Sequence, residues 1–253
     1  RQRQMCIRDS YFVFFEAYDR LKRKGVLGYR QITEHTAGDI HIICESTSHL
    51  SYPFIYEADG NLYIVPESNM SGELYRFKCL SFPNHWEKEK VLMHERLVDS
   101  TFFSHNQEQY CFSTTVDDEL LFDRLDLFHC VNGEWVPCPR NPVKRDLSSA
   151  RGAGKCFEQD GVWYRPSQDC SDGYGCALCL NAMDKIDSNE YLEHCVKRLQ
   201  PVEIKTNTGV AYQGIHTYNR LNHVEVIDLK TPPELHIPVS YTHLRAHETC
   251  ADL

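Results

Sequence analysis

Asp59-Gly60-Asn61-Leu62-Tyr63-Ile64-Val65-Pro66-Glu67-Ser68 returns 101 residues later as Asp160-Gly161-Val162-Trp163-Tyr164-Arg165-Pro166-Ser167-Gln168-Asp169. Each copy is a tight turn followed by a strand rich in aromatic and β-branched residues, the pattern of a hairpin. Asn106-Gln107-Glu108-Gln109-Tyr110-Cys111-Phe112-Ser113-Thr114 lies midway between them, and Tyr11-Phe12-Val13-Phe14-Phe15-Glu16 precedes them. Glu16 to Glu67 is 51 residues and Tyr63 to Tyr110 is 47, so the chain repeats with a period near 50. A repeat of that length is one supersecondary unit stacked on its neighbours.

A second element keeps the same phase. Trp86, in Phe82-Pro83-Asn84-His85-Trp86, and Trp135, in Gly133-Glu134-Trp135-Val136-Pro137, each open an outer strand after a further turn. About four short strands per repeat make one propeller blade. Inner strands are placed before Tyr11, at 51–56, 98–103, 149–157 and 214–218, which predicts an all-β, five-bladed β-propeller whose first blade is truncated. A sandwich of short strands gives no whole-chain repeat. Residues 189–199 have helix-like spacing with Ser188 as a possible cap, and read either as an inserted helix or as a polar strand.

The two ends read differently. Met5-Cys6-Ile7-Arg8-Asp9 can be encoded by a DNA segment whose reverse complement encodes Val239-Ser240-Tyr241-Thr242-His243. An inverted segment shared by both ends is the mark of a transposon-end sequencing adapter, as in a metagenomic fragment, and Leu244-Arg245-Ala246-His247-Glu248-Thr249 resembles its continuation. Residues 1–10 and 238–253 are therefore expected to be adapter-derived tails with few contacts, leaving 11–237 as the domain. The repeat register adds a detail. Tyr52 precedes Glu67 by 15 positions, and the same step back from Glu16 reaches position 1, inside the tail.

Composition narrows the function. With 36 acidic against 27 basic residues the net charge is −9, which argues against a nucleic-acid binder because such proteins need a basic face. No apolar run approaches the roughly 20 residues that span a bilayer. Of 12 cysteines, Cys6 and Cys250 fall in the tails, and the rest are irregularly spaced in a chain large enough to build a core without disulfides. Buried reduced thiols favour a reducing, cytoplasmic setting. Cys176 and Cys179 form the CxxC pair, without the second pair that a zinc site requires. No glycine-rich phosphate loop, nucleophile elbow or helix-borne metal motif is present, so neither metal nor cofactor is expected.

Several motifs in order carry a family resemblance: Ser51-Tyr52-Pro53-Phe54 with Pro66-Glu67-Ser68, Val98-Asp99-Ser100-Thr101-Phe102-Phe103, Pro139-Arg140-Asn141-Pro142-Val143, Ser149-Ala150-Arg151, Arg165-Pro166-Ser167-Gln168-Asp169 and Gly214-Ile215-His216-Thr217-Tyr218-Asn219. Over nearly all of 11–230 the chain resembles the N-terminal domain of glucosamine inositolphosphorylceramide transferases. Similar domains occur in surface-polysaccharide proteins, some beside formyltransferase-like domains. The resemblance implies a five-bladed propeller of the arabinanase, levansucrase and invertase group, related to family-43 glycoside hydrolases. It also implies carbohydrate as the ligand class and a separate, fused glycosyltransferase domain that carries the transfer chemistry.

In a propeller, loops at the inner-strand starts converge on a central pocket. His49, Asp99, Arg151 and His216 fall at those starts. Glu16, Glu67, Arg165, Gln168 and Asp169 end the second strands. Each has a plainer alternative: Glu67 as an edge carboxylate, Asp99 as a turn cap, Arg151 as an inter-blade bridge, His216 as a hydrogen-bonded link closing the ring. Two functions from different classes follow. In the first, the domain recognises a sugar, sugar phosphate or nucleotide sugar in glycolipid or polysaccharide biosynthesis, with Arg151 and Arg165 forking onto the anionic group. In the second, Glu67 and Asp99 are the paired carboxylates of a glycosidase or transglycosidase. The recognition reading is favoured, and the fragment is not expected to be an active enzyme.

Overall fold

The computed structural model describes residues 10–33, 36–118, 122–206, 209–221 and 224–231, and the backbone of 242–246. Nineteen strands are present among the described residues: β1 (Tyr11–Asp19), β2 (Lys24–Ile32), β3 (Ala37–Cys44), β4 (Ser51–Ala58), β5 (Asn61–Glu67), β6 (Leu74–Ser81), β7 (His85–Met93), β8 (Leu97–His105), β9 (Glu108–Thr115), β10 (Arg124–Val131), β11 (Glu134–Pro137), β12 (Lys144–Arg145), β13 (Phe157–Gln159), β14 (Val162–Asp169), β15 (Ala177–Ile186), β16 (Tyr191–Leu199), β17 (Gly214–Leu221), β18 (Val224–Lys230) and β19 (Thr242–Ala246). They form five sheets, ordered β1-β2-β3, β4-β5-β6-β7, β8-β9-β10-β11 with β12 beside β10, β13-β14-β15-β16, and β17-β18-β19. Among the described residues no helix is long and apolar enough to cross a membrane.

The repeated turn is what sets the register. Asp59 and Gly60 both have positive φ, 50° and 71°, and so do Asn106 with Gln107 (49° and 67°), Asn132 with Gly133 (52° and 84°) and Asp160 with Gly161 (52° and 79°). Two consecutive positive-φ residues make the two-residue hairpin turn whose twist matches that of the flanking strands. Asp, Asn and Gly tolerate this region where a β-branched residue does not. Ala58 thereby faces Asn61, and Gln159 faces Val162.

The chain divides into two compact units. The first carries β1–β7, and its core gathers Leu27, Leu50, Ile55, Ile64, Tyr75, Phe77 and Trp86. The second carries β13–β18. There Phe103 stacks on Phe112 (centroids 5.3 Å apart), beside Tyr110, Leu125, Leu127, Ala150, Cys156 and Tyr191. A further cluster of Ala153, Leu178, Leu180, Tyr212, Ile215 and Tyr218 backs the same unit.

The strands decide one open reading and modify one expectation. Residues 189–199 are strand and not helix, because β16 pairs with β15 from Tyr191 to Leu199. The inner strand expected at 149–157 is mostly irregular: only Phe157 begins regular pairing, in β13, and Gly152 makes an isolated bridge to Ser167. Residues 1–9, 238–241 and 247–253 of the expected tails, and 232–237 of the expected domain, lie outside the described residues. Thr242–Ala246 is not detached, since it pairs antiparallel with β18 as an edge strand. An open strand edge offers a row of backbone donors and acceptors that any extended segment can join.

A buried ion pair organises the second unit. Glu193 on β16 accepts two bonds from Arg165 on β14, at 2.9 Å from Nε and 2.6 Å from Nη2, one from Lys144 Nζ at 2.7 Å, and the Tyr191 hydroxyl. Burial alone raises the Glu193 pKa, but the Arg165 guanidinium, followed by Lys144, outweighs it and holds the carboxyl below its ordinary 4.5. Because the folded-state value is the lower one, this contribution is complete above 4.5 and is lost as pH falls through the folded value. Glu193→Gln is expected to lower stability in urea unfolding at pH 7 by about 3–5 kcal/mol, because the Arg165 charge is left buried and uncompensated. It should also flatten the remaining stability's dependence on acid. An unchanged midpoint would refute the role assigned to the pair.

Candidate functional site

The sequence-derived candidates fall into three groups. Glu16 and His49 are brought together: the Gly25 N–H donates to His49 Nδ1 at 2.9 Å, which puts the ring proton on Nε2, 3.3 Å from Glu16 Oε1. Gly25 is required there, since a Cβ would run into the Leu50 carbonyl oxygen and stand 2.6 Å from Glu16 Oε1.

Glu67 and Asp99 are carried by different sheets. Glu67 ends β5 and accepts from Asn69 Nδ2 at 2.9 Å. Asp99 is 5% exposed in β8 with φ 53°, and Tyr52, 47 residues earlier near the start of β4, has φ 41°. Left-handed backbone at a non-glycine residue costs roughly 1–3 kcal/mol, and its recurrence marks a bend built into the start of these inner strands.

The third group surrounds residues 149–156. The Arg151 guanidinium carbon lies 5.0 Å from the Phe122 ring centroid and 4.7 Å from that of Tyr174. Tyr174 in turn lies 4.9 Å from the His216 ring, centroid to centroid. The two rings also touch each other, with centroids 5.6 Å apart, so the planar cation packs beside the pair, where aromatic faces attract it. Tyr174 sits between Gly173 and Gly175, both at positive φ, and is 40% exposed. His216 Nδ1 is 3.6 Å from Asp228 Oδ2. Gln168 anchors the segment: its backbone N–H donates to the Arg151 carbonyl at 2.8 Å and its Nε2 to the Gly152 carbonyl at 3.0 Å. The Gln168 Oε1 is buried with no hydrogen-bond partner among the described residues.

Arg165 and Asp169 are placed differently from the expectation of ligand contacts. Arg165 is 1% exposed, and four of its five donor hydrogens are engaged, by Glu193 and by the carbonyls of Ser149 (2.5 Å) and Ala150 (3.1 Å). Asp169 accepts Ser171 N–H at 2.9 Å and Arg198 Nε at 2.5 Å. Its pKa lies below the ordinary value because these bonds outweigh burial. Both side chains are internal ties, Arg165 to the segment bearing Arg151 and Asp169 to Ser171 in the loop after β14 and to Arg198 on β16.

The family model for the N-terminal region of glucosamine inositolphosphorylceramide transferase 1 matches residues 5–234. The chain belongs to this family. Glucosamine inositolphosphorylceramide transferase 1 of Arabidopsis thaliana is 28% identical over 237 residues, covering 88% of this chain and 29% of that protein. Its counterpart from Oryza sativa subsp. indica is 28% identical over 233 residues, covering 87% and 30%. The chain thus spans about three-tenths of the length of these relatives.

Solved structures give the fold. The α-L-arabinofuranosidase PaAbf62A of Podospora anserina superposes with TM-score 0.62 at 11% identity, over 90% of this chain and 82% of that one. The endo-1,4-β-xylanase of Bacteroides thetaiotaomicron gives 0.62 at 9%, over 96% and 88%. A thermostable family-43 glycoside hydrolase gives 0.60 at 9%, over 91% and 83%. This member of the transferase family is therefore an all-β propeller with the fold of those hydrolases.

Two neighbours of Arg151 were not singled out in the sequence. Phe122 carries no local signal. Tyr174 does, as an aromatic residue between two glycines, Gly173 and Gly175, a common way to present a ring at a loop tip. Gly154 is the third special position. At φ 137° its Cβ would collide with the Tyr218 carbonyl oxygen and stand 2.8 Å from Asn219 Oδ1, the acceptor of the Lys155 N–H. Gly154→Ala is expected to destabilise the domain by about 1–3 kcal/mol in denaturant unfolding through overpacking and strain. A variant as stable as the parent would contradict this packing.

Proposed function

We propose that this chain is a carbohydrate-recognising domain of a protein in glycolipid or surface-polysaccharide biosynthesis, and that its five sheets are the blades of one five-bladed propeller. The five sheets in chain order, the period near 50 and the likeness to propeller hydrolases support that blade count. The first blade is represented by β1–β3, with β1 the counterpart of β5 and no counterpart of β4 among the described residues. The ten free cysteines among the described residues support a reducing compartment.

The observation that carries the recognition reading is Arg151 packed against Phe122 and Tyr174, with His216 against Tyr174. Aromatic faces pack on the apolar face of a sugar ring, and a guanidinium forks onto a phosphate or carboxylate. Arg165, Gln168 and Asp169 then act as positioning residues, because each holds the segment or loop that carries this cluster. Glu16 and His49 are a second polar pair, half-exposed in the first unit.

The glycosidase reading keeps one specific support, the positive φ of Asp99, the kind of strain that clusters at active sites. The two readings part in one experiment. Arg151→Ala is expected to weaken binding of a sugar phosphate or uronic acid at least tenfold in calorimetry, while the parent chain leaves aryl glycosides intact. Unchanged affinity of the Arg151 variant would refute the recognition reading, and robust hydrolysis would establish the glycosidase.

A further inference from the structure

Lys155 is an unexplained cation. It follows Arg151 by four residues on the same segment, in a run of residues that is otherwise small or apolar, and is only 8% exposed. The backbone around it is pinned on every side. The Ala153 N–H donates to the Pro166 carbonyl at 3.1 Å, Tyr218 N–H to the Ala153 carbonyl at 2.7 Å, and Lys155 N–H to Asn219 Oδ1 at 3.1 Å. Cys156 is fixed in the core beside Phe103 and Tyr110. Yet Lys155 Nζ has no hydrogen-bond acceptor among the described residues.

The charged and titratable groups on the packed elements do not supply one. On β14, Arg165 is held by Glu193, and Asp169 by Arg198. On β17, His216 faces Asp228, and Arg220 donates to Gln159 at 2.5 Å. Thr101 of β8 points its hydroxyl at the Gly154 carbonyl. Burial pulls the amine down from the ordinary lysine range to about 7, opposed only by the neighbouring Cys156 thiol. A buried ammonium without a counter-charge costs several kcal/mol, and a methionine of similar length would fill the space without that cost. The fold therefore carries a group that weakens it, as binding sites do.

We infer that Lys155 is a binding residue for the anionic group, phosphate or carboxylate, of a sugar ligand, and that this anion is the partner its Nζ lacks. The sugar part of this inference rests on the recognition reading above, and the anion part on Lys155 alone. Arg151 stands four residues earlier on the same segment, at most roughly 14 Å away between Cα atoms along an extended chain.

The test uses calorimetry and thermal melting of the full chain, Lys155→Met and Lys155→Arg, with inorganic phosphate, glucose 6-phosphate, glucuronate and glucose as probes. The parent is expected to bind glucose 6-phosphate or glucuronate at least tenfold more tightly than glucose. Comparing those two with inorganic phosphate separates the phosphate from the carboxylate. Lys155→Met should raise the melting temperature of the unliganded protein and bring the preference for the anionic sugar to threefold or less, while Lys155→Arg keeps it. A parent that does not discriminate between charged and neutral sugars, a Lys155→Met variant that still does, or one that melts lower or fails to fold, would overturn the inference. Lys155-dependent binding of phosphate with no binding of any sugar would uphold the anion site and overturn only the carbohydrate reading.

Discussion

The buried pair between Arg165 and Glu193 is the constraint on which the second unit depends. It joins the second strand of a sheet, β14, to the outermost, β16, across β15, and it also grips the carbonyls of Ser149 and Ala150. Those two carbonyls open a segment that makes little regular strand pairing of its own. Without the guanidinium, buried backbone acceptors in an irregular stretch would be left to find other donors, at a cost of about 1–3 kcal/mol each. With it, the segment that carries Arg151 is fixed at its start.

This division of labour explains why two arginines of similar sequence setting do different things. Arg165 lies within a paired strand, surrounded by carboxylate and carbonyl acceptors, and its charge is neutralised inside the fold. Arg151 lies in the irregular segment against two rings, which give an attractive surface to a cation. Lys155 extends the same logic, with neither rings nor a carboxylate assigned to its Nζ.

Much of the fold was legible because turns with two positive-φ residues are written in Asp, Asn and Gly, with Gln107 the exception, and the four such turns among the described residues fall where the repeat placed them. The segment 149–157 was less legible: its small residues suit close backbone approach as much as strand, and long-range bonds to Pro166 and Tyr218 decided its path. Residues 189–199 alternate poorly because their bulges against β15 break the period of two. For the site, the sequence separated charged from apolar positions but did not show which charges are buried together. Glu193, 28 residues beyond Arg165, turned an expected ligand contact into a brace, and nothing in the sequence marks Lys155 as buried.

The central claim is that the segment braced by Arg165 presents Arg151 and its aromatic neighbours to a sugar. A crystal structure of the domain soaked with glucose 6-phosphate tests it most directly. The account predicts the sugar against Tyr174, with its phosphate within hydrogen-bond distance of the Arg151 guanidinium or Lys155 Nζ. Well-ordered ligand bound elsewhere, as at Glu16 and His49, with the Arg151 cluster untouched, would contradict it.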